Sequence, residues 1–337
     1  MDVSRLGQNV SPSYTEFLLL PFPGVTLYRQ VLIVPFLFSY VLIMVLNSLI
    51  SYTVWRERSL HAPMYVLISL LLSMNLLSTS TVLPQMLPSF FGQTRIPLSR
   101  CLTQMFFAYS ALIFKSLVFV LMAFDRFVAI CHPLRYHNII NQKSLLQLWT
   151  IGLVRNVVLV SLLVFLASRV QYCKSNRILN FVCEYMVLLN LACGDVSRAQ
   201  LVGLLVRTGV TFSDLSIILI FYLRVLHTAL KITGGGKRHK ALQTCGTHVL
   251  VALTVYSCGL LASILYKVEE SISPDSQNLS NVIYFLFPAV VNPITYGLGV
   301  KEIKDCLVKP WRKKCLSNTW GPPAGVSRGP MVTSIEY

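Results

Sequence analysis

The sequence predicts an all-α membrane protein, a bundle of seven transmembrane helices with an extracellular N-terminus and a cytoplasmic C-terminus. Only 12% of the 337 residues are charged, whereas soluble proteins carry about 25%. Hydrophobic residues make up 54% of the chain, and they form long blocks separated by polar stretches rich in Pro, Gly and charge. A helix needs about 20 mostly apolar residues to cross a bilayer, and seven blocks are that long.

The predicted spans are residues 27–54, 63–87, 101–124, 145–168, 199–223, 241–266 and 278–299. They define four segments: an extracellular stretch at 1–26, the seven-span domain at 27–300, a basic membrane-proximal helix at 301–318 and a disordered tail at 319–337. This composition argues strongly against an enzyme with one soluble core. The sequence also shows no metal-ligand cluster, catalytic triad or phosphate-binding loop, so we expect no enzymatic activity, no metal and no cofactor.

The distribution of positive charge predicts the orientation. With the N-terminus outside, the inner segments hold 17 Lys and Arg residues and the outer segments hold nine. Cytoplasmic loops carry an excess of Lys and Arg, so this orientation is favoured. The net charge of +16 therefore reflects topology, with some attraction to anionic lipid, and does not indicate a nucleic-acid partner.

Four of the nine cysteines lie on the predicted outer side. Cys101 is at the outer start of the third span, and Cys173, Cys183 and Cys193 lie in the long loop after the fourth. Four cysteines in an oxidising compartment permit two disulfides, with three possible pairings. We expect the others to be free thiols: Cys131, Cys245, Cys258, Cys306 and Cys315.

Two modification signals are weak by themselves. The triplet "NVS" at Asn9 is an N-glycosylation acceptor on the outer side. Cys315 follows the basic stretch "KPWRKK" and is a candidate for palmitate, although an ordinary reduced thiol is the simpler interpretation.

Several motifs resemble one receptor family. "MAFDRFVAICHPLRY" (122–136) resembles the end of the third helix of odorant receptors, a branch of the rhodopsin-like G-protein-coupled receptors. "HAPMYVLISL" (61–70), "KALQTCGTHV" (240–249) and "PAVVNPITYG" (288–297) are similar to its second, sixth and seventh helices. "YCKSNRILNFVCEYMVLLNLACGD" (172–195) is similar to its second outer loop. The match covers most of the chain.

Other features resemble the fish-like, class I branch of that family: "AFDRF", Arg155 in the fourth span, "LACGD", and Asp214 eight residues before Tyr222. The family resemblance implies a receptor of the plasma membrane, in the cilia of olfactory neurons, that binds small-molecule odorants. It also implies an olfactory stimulatory G protein that raises cyclic AMP. The disulfides it implies are Cys101–Cys183 and Cys173–Cys193.

The resemblance assigns Asp125 and Arg126 to an activation switch at the inner end of the third span. Arg126 would pair with Asp125 in the resting receptor and be released to meet the G protein. An ion pair near water is easier to rearrange than a deeply buried one, which suits a switch. The alternative is that the pair only marks a helix end at the membrane interface.

The same switch would include residues of three other helices. Pro293, in Asn292–Pro293, removes a backbone donor and loosens the seventh helix, which would let Tyr296 swing inward. The alternative is a plain proline kink. In the family, Tyr222 faces the same inner cavity, and Tyr256 occupies the aromatic position below the ligand, although an aromatic at helical spacing is often only packing.

Two positions depart from the family pattern. The family usually has Asp where this chain has Asn75, and Glu where it has Lys115. Those carboxylates form an interior sodium site in many relatives. We therefore expect no sodium site here, and Lys115 itself to stand in for the ion, because an ammonium within the membrane needs a partner or water.

The resemblance places the ligand between the third, fifth, sixth and seventh helices, in the outer half of the bundle. The residues carried over to that pocket are Tyr109, Leu112, Ile113, Val206, Val210, Gly259, Ser263 and Phe285. Most are apolar, as expected of a small-molecule site with few polar anchors.

Lys267 and Arg207 are the candidate anchors for an acidic ligand. Lys267 lies eleven residues, or three turns, from Tyr256 on nearly the same helix face. The alternative is a lysine that snorkels at the interface, and the neighbouring acids 269 and 270 could neutralise it. Arg207 precedes Asp214 by seven residues on a similar face, so these two side chains could instead pair with each other.

Two other functions fit the sequence less well. A receptor of the same branch could serve a non-olfactory tissue. A transporter or channel could use Asn75, Lys115 and Asp214 as an intramembrane relay, but the halves of the chain show no internal repeat.

Overall fold

The computed structural model describes residues 13–25, 29–92, 94–231, 235–267 and 272–308. Within them, seven helices are long and apolar enough to cross a membrane, which confirms the predicted fold class. The spanning helices are α1 (Ile33–Arg56), α2 (Pro63–Met86), α3 (Leu98–Cys131), α5 (Gln142–Ser168), α7 (Ser197–Leu230), α8 (Gly235–Lys267) and α9 (Pro274–Gly299). The short helices are α4 (Tyr136–Ile139), α6 (Tyr185–Asn190) and α10 (Lys301–Val308). Cys315, Asn9 and the tail at 319–337 lie outside the described residues.

Three spanning helices continue past the predicted inner ends. The predicted third and fifth spans end at residues 124 and 223, whereas α3 reaches Cys131 and α7 reaches Leu230. The sixth was predicted from residue 241, but α8 begins at Gly235. Hydropathy marks only the part of a helix that lies in lipid, so it underestimates helices that extend into the aqueous phase.

The lipid-facing and interior sides of the bundle differ in composition. Large apolar side chains such as Phe38, Trp55 and Phe212 are mostly exposed on α1 and α7, as expected where the surroundings are lipid. Polar side chains instead turn inward: Asn47 and Asn75 are fully buried. The interior is therefore the place to look for a site.

The outer end carries a small sheet that the sequence did not predict. Its strands are β1 (Glu16–Leu19), β2 (Thr94–Pro97) and β3 (Arg177–Ile178), in the order β2-β1-β3. β1 pairs antiparallel with β2 and parallel with β3. Phe17 and Leu19 are completely buried, and the Phe17 ring meets that of Tyr172 edge-on at 5.3 Å. The N-terminal segment is thus packed into the outer surface of the bundle.

Two disulfides hold the same outer loop. Cys101 is bonded to Cys183, with the Cα atoms 5.5 Å apart, and Cys173 is bonded to Cys193. These are the pairs that the family resemblance implies. The first ties the loop to the start of α3, so the loop is fixed directly above the interior of the bundle.

Candidate functional site

The inner end of α3 holds a buried acid shared between a base and a phenol. Arg126 donates to Asp125 Oδ2 from Nε at 3.0 Å and from Nη2 at 2.5 Å. Tyr136, the first residue of α4, donates to the other oxygen at 2.8 Å. Burial and the nearby Asp125 carboxylate raise the pKa of Tyr136. The Arg126 side chain is 18% exposed and that of Asp125 is 2% exposed, so only the guanidinium can reach a cytoplasmic partner.

The segment of α9 that contains Pro293 is part of one continuous helix, and it contacts α3 one turn from this pair. Tyr296 is completely buried, and its hydroxyl donates to the sulfur of Met122 on α3 at 3.7 Å. Pro293 is buried within α9. Tyr222 of α7 packs, half-buried, against the same inner cluster of apolar side chains. His248 of α8 lies with its ring centroid 5.7 Å from that of Tyr296. Of the residues predicted to form the switch, Tyr222 and Tyr296 pack in this inner layer, whereas Tyr256 lies deeper in the bundle, beside Ser116.

A second polar cluster lies in the middle of the bundle. Arg155 of α5 donates to both carboxylate oxygens of Asp214 on α7, at 2.7 and 2.9 Å. Ser116 of α3 donates to Asp214 Oδ2 at 2.6 Å and lies 2.7 Å from the hydroxyl of Tyr256 on α8. Four helices thus converge on one buried carboxylate. Tyr256, which the resemblance places below the ligand, is hydrogen-bonded to this cluster as well as packed.

This cluster corrects the suggested pairing of Arg207 with Asp214. Asp214 pairs with Arg155, while Arg207 Nη2 donates to Ser263 Oγ on α8 at 2.5 Å and lies 3.5 Å from the Gly259 carbonyl. Seven residues are two turns of helix, about 10 Å along the axis. Each side chain therefore bonds to a nearby group on a neighbouring helix and not to the other.

Two residues at the outer end of α3, Tyr109 and Gln104, are bonded to the disulfide-tethered loop; Tyr109 is one of the residues predicted to contact the ligand. The Tyr109 hydroxyl accepts from the backbone N–H of Tyr185 at 3.1 Å, and Tyr185 donates in turn to the Ala199 carbonyl. Burial raises the pKa of Tyr185 to about 12, so its phenol stays neutral. Gln104 accepts from the Cys183 N–H at 2.9 Å. The loop is therefore bonded to α3 above the pocket as well as disulfide-linked to it.

The remaining pocket residues follow the same pattern. Leu112, Ile113, Val206, Val210, Gly259 and Ser263 are half-buried, and Phe285 is buried. A side chain at Gly259 would meet the Tyr284 ring at 3.1 Å, which brings α8 and α9 close together here. Phe285 meets Phe181 of the outer loop edge-on at 5.9 Å. The pocket walls are thus mostly apolar.

Lys267 is the last residue of α8, but its side chain and residues 269 and 270 lie outside the described residues. Arg207, the other candidate anchor, has contacts that the structure describes. The two oxygens that it contacts, Ser263 Oγ and the Gly259 carbonyl, are both neutral. Its guanidinium therefore retains charge and donors that an acidic ligand could use.

Comparison with known proteins gives a family for this arrangement. Residues 36–314 match the model of the family described as olfactory receptor. The chain belongs to the olfactory receptor family. These are rhodopsin-like G-protein-coupled receptors and not enzymes, so this olfactory receptor is a multi-pass membrane protein.

The receptor is similar to several human proteins over nearly its whole length. It is 33% identical to human olfactory receptor 52K1, covering 92% of this chain and 99% of that relative. It is 35% identical to olfactory receptor 56A4, covering 86% and 93%, and 33% identical to olfactory receptor 51G2, covering 90% and 98%. Its fold is similar to that of squid rhodopsin, with a TM-score of 0.67 at 12% identity over 84% of this chain and 85% of the other.

The receptor's interior contains contacts that sequence reasoning missed. Ser116, which joins Asp214 to Tyr256, carries no motif signal. Arg155 and Asp214 were each noted as branch features, but nothing in the sequence said that they touch. Tyr136 lies in the quoted "MAFDRFVAICHPLRY", eleven residues after Asp125. The turn after α3 brings the two side chains together, and the sequence did not predict this contact.

Lys115 of α3 and Asn75 of α2 contact residues other than those of the Asp214 cluster. Lys115 Nζ donates to Ser78 Oγ on α2 at 3.0 Å, and Asn75 Nδ2 donates to Asn47 Oδ1 on α1 at 3.0 Å. Among the described residues Lys115 donates to Ser78 and Asp214 pairs with Arg155, and no hydrogen bond or ion pair joins Lys115 to Asp214. The described residues also contain no group of three His, Cys, Asp or Glu that could hold a metal ion.

Proposed function

We propose that this receptor binds small acidic odorants in the outer half of the bundle and activates a stimulatory, olfactory-type G protein to raise cyclic AMP. The observation that carries the proposal is the cluster around Asp214. It lies between the pocket and the inner switch, and it connects helices that border both. A ligand that displaces α8 must disturb the Ser116–Tyr256 hydrogen bond.

A ligand shifts a receptor between states only through contacts that differ between those states. Tyr256 offers such a contact, because its ring borders the pocket floor and its hydroxyl is 2.7 Å from Ser116. Moving Tyr256 would break its hydrogen bond to Ser116 and leave the Ser116–Asp214 bond in place. The loss of this contact between α8 and α3 would favour rotation of α8 against α3. That rotation would reach the inner layer through His248 and Tyr296, which are 5.7 Å apart.

The inner surface fits a protein partner next to the switch. Leu134, in the turn between α3 and α4, is 99% exposed and lies outside the apolar spans. An exposed leucine in water is costly when isolated, but apolar anchors near the centre of an interface contribute much of its affinity. Leu134 would provide that anchor for the G protein, and Arg126 would form its contact once released from Asp125.

The candidate anchors predict that the ligand carries a negative charge. The pocket is apolar apart from a few polar groups, and its two candidate charged anchors, Lys267 and Arg207, are both basic. A charge-assisted hydrogen bond to a carboxylate contributes roughly 1.5–3 kcal/mol, which is about a tenfold to 150-fold change in potency. We assign the larger share to Lys267, at the mouth of the pocket, and a supporting role to Arg207.

The finer assignments complete the proposal. We infer a plasma-membrane location in olfactory cilia, and membership of the class I branch on the basis of Arg155, Asp214 and the similar relatives. A receptor of the same branch in another tissue would share every structural feature described here. Expression data, which do not depend on the binding site, separate these two possibilities.

The test compares an aliphatic carboxylic acid with its methyl ester in a cyclic AMP dose–response assay. Lys267→Ala should weaken the response to the acid by about tenfold to 150-fold and leave the response to the ester nearly unchanged. Lys267→Arg should retain part of the preference, because the charge survives while the geometry differs.

Lys174→Ala is the matched control. Lys174 is an exposed lysine of the outer loop, so its removal lowers the outer charge equally without changing the pocket. Equal weakening of acid and ester in Lys267→Ala would show that Lys267 supports the outer loop and does not read ligand charge.

A further inference from the structure

We propose that Lys115 forms a binding site for a chloride ion in the middle of the bundle. The inference is independent of the odorant and of the G protein. It rests on the charge that Lys115 brings into the membrane interior and on the groups that surround its ammonium.

The acids that the structure describes do not neutralise Lys115. Among the described residues, Asp125 and Asp214 are the two acids that lie deeper than the first turn of a spanning helix. Asp125 is paired with Arg126 and Asp214 with Arg155. Asp125 also lies ten residues further along α3, about 15 Å from the level of Lys115. Neither carboxylate is available as a counter-charge.

The ammonium itself is deeply enclosed. Lys115 is 4% exposed, and it donates to Ser78 Oγ at 3.0 Å. The Ser78 hydroxyl can accept this bond because its own proton goes to the Asn75 carbonyl at 3.1 Å. Ser78 is the hydrogen-bond partner that the described residues give Lys115, and an ammonium has three N–H donors. A buried charge without a counter-charge is strongly unfavourable.

The nearby amides form a network in which some donors and some acceptors, among them Asn75 Oδ1, have no partner among the described residues. Asn75 donates to Asn47, and Asn47 donates to the carbonyls of Ile43 and Ala289. One turn further along α9, Asn292 is fully buried, and its Nδ2 and Oδ1 have no hydrogen-bond partner in the part of the chain that the structure describes. Asn292 therefore has two N–H donors to offer, on the stretch of α9 that Asn47 contacts.

An anion that accepts from the Lys115 ammonium cancels its charge, and Asn292 Nδ2 would be its second donor. It must be small, because the enclosure is formed by packed helices, and monovalent, because there is one charge to neutralise. Chloride meets both conditions. Gluconate is too large to enter, while bromide is close in size to chloride and should replace it.

The experiment measures thermal unfolding of the full-length receptor in lipid nanodiscs without odorant. Sodium chloride is compared with sodium gluconate at equal ionic strength. Chloride should raise the melting temperature by on the order of 2 °C and the effect should saturate. Lys115→Met should abolish the difference, whereas Lys174→Met, which removes an exposed lysine, should retain it.

Two results would overturn the proposal: equal melting temperatures of the wild type in the two salts, or an equal chloride effect in Lys115→Met. If Lys115→Met does not fold, chlorine-35 NMR of the wild type decides the question. Excess line width that bromide removes by competition supports the site, and line width that bromide leaves unchanged contradicts it.

Discussion

Replacing Arg155 with Met should destabilise the receptor more than any change to its partner does. The Arg155 guanidinium donates twice to Asp214, at 2.7 and 2.9 Å. Met fills a similar volume without charge, so the substitution leaves the Asp214 carboxylate buried with only Ser116 as a strong donor.

The exposed fractions of the two side chains determine how much stability each substitution costs. The Asp214 side chain is 1% exposed, but that of Arg155 is 32% exposed. Breaking a buried pair costs about 3–5 kcal/mol, and we take 3 kcal/mol because Ser116 still donates. Asp214→Asn should cost only about 1–2 kcal/mol, since the amide oxygen that replaces the carboxylate still accepts from Arg155, whose side chain is one-third exposed.

Thermal unfolding in nanodiscs measures this asymmetry. At roughly 2–4 °C per kcal/mol, Arg155→Met should lower the melting temperature by about 6–12 °C and Asp214→Asn by about half as much or less. The double variant should be more stable than Arg155→Met alone, because it removes the uncompensated charge. Arg169→Met, on an exposed residue at the end of α5, is the control.

A melting temperature of Arg155→Met equal to that of the control would refute this reasoning. So would a double variant that is as unstable as the sum of the two single variants, because independent effects would mean that the two residues do not interact in the folded receptor.

Two further predictions use other parts of the molecule. Cys101→Ser should prevent delivery to the cell surface, because losing a native disulfide costs about 2–5 kcal/mol; surface staining should drop while Cys258→Ser, at a buried free cysteine, remains near wild type. Receptor stability should be the same in sodium and potassium chloride, because Asn75 and Lys115 supply no carboxylate for a cation; the double variant Asn75→Asp, Lys115→Glu should gain stability selectively in sodium. Normal surface staining of Cys101→Ser would contradict the first prediction. Greater stability of the wild type in sodium than in potassium would contradict the second.

The spanning helices could be predicted from the sequence because lipid imposes a simple rule. Each span needs about 20 apolar residues, and that requirement is visible without knowledge of any contact. The inner extensions of α3, α7 and α8 were not predicted, since a helix in water is stabilised by packing that hydropathy does not record. β1 was also missed, because its four residues pair with partners about 80 and 160 positions away.

The site was predictable only where a motif fixed it. Asp125 and Arg126 are neighbours in the sequence, so their contact follows from the motif. The Arg155–Asp214 pair depends on the rotation of α5 and α7 about their axes, which helical periodicity in nearly uniform apolar segments leaves undetermined. The incorrect suggestion that Asp214 pairs with Arg207 had another cause: the two residues share a helix face but lie two turns, about 10 Å, apart.

The central claim is that ligand binding acts through the Asp125–Arg126 pair, and one measurement tests it most directly. Cells expressing an olfactory stimulatory G protein are exposed to a panel of short- and medium-chain carboxylic acids, and cyclic AMP is recorded for wild type and Arg126→Ala at matched surface expression. We expect at least one acid to raise cyclic AMP through the wild type and none to do so through Arg126→Ala. An acid that signals equally well through both receptors would contradict the account.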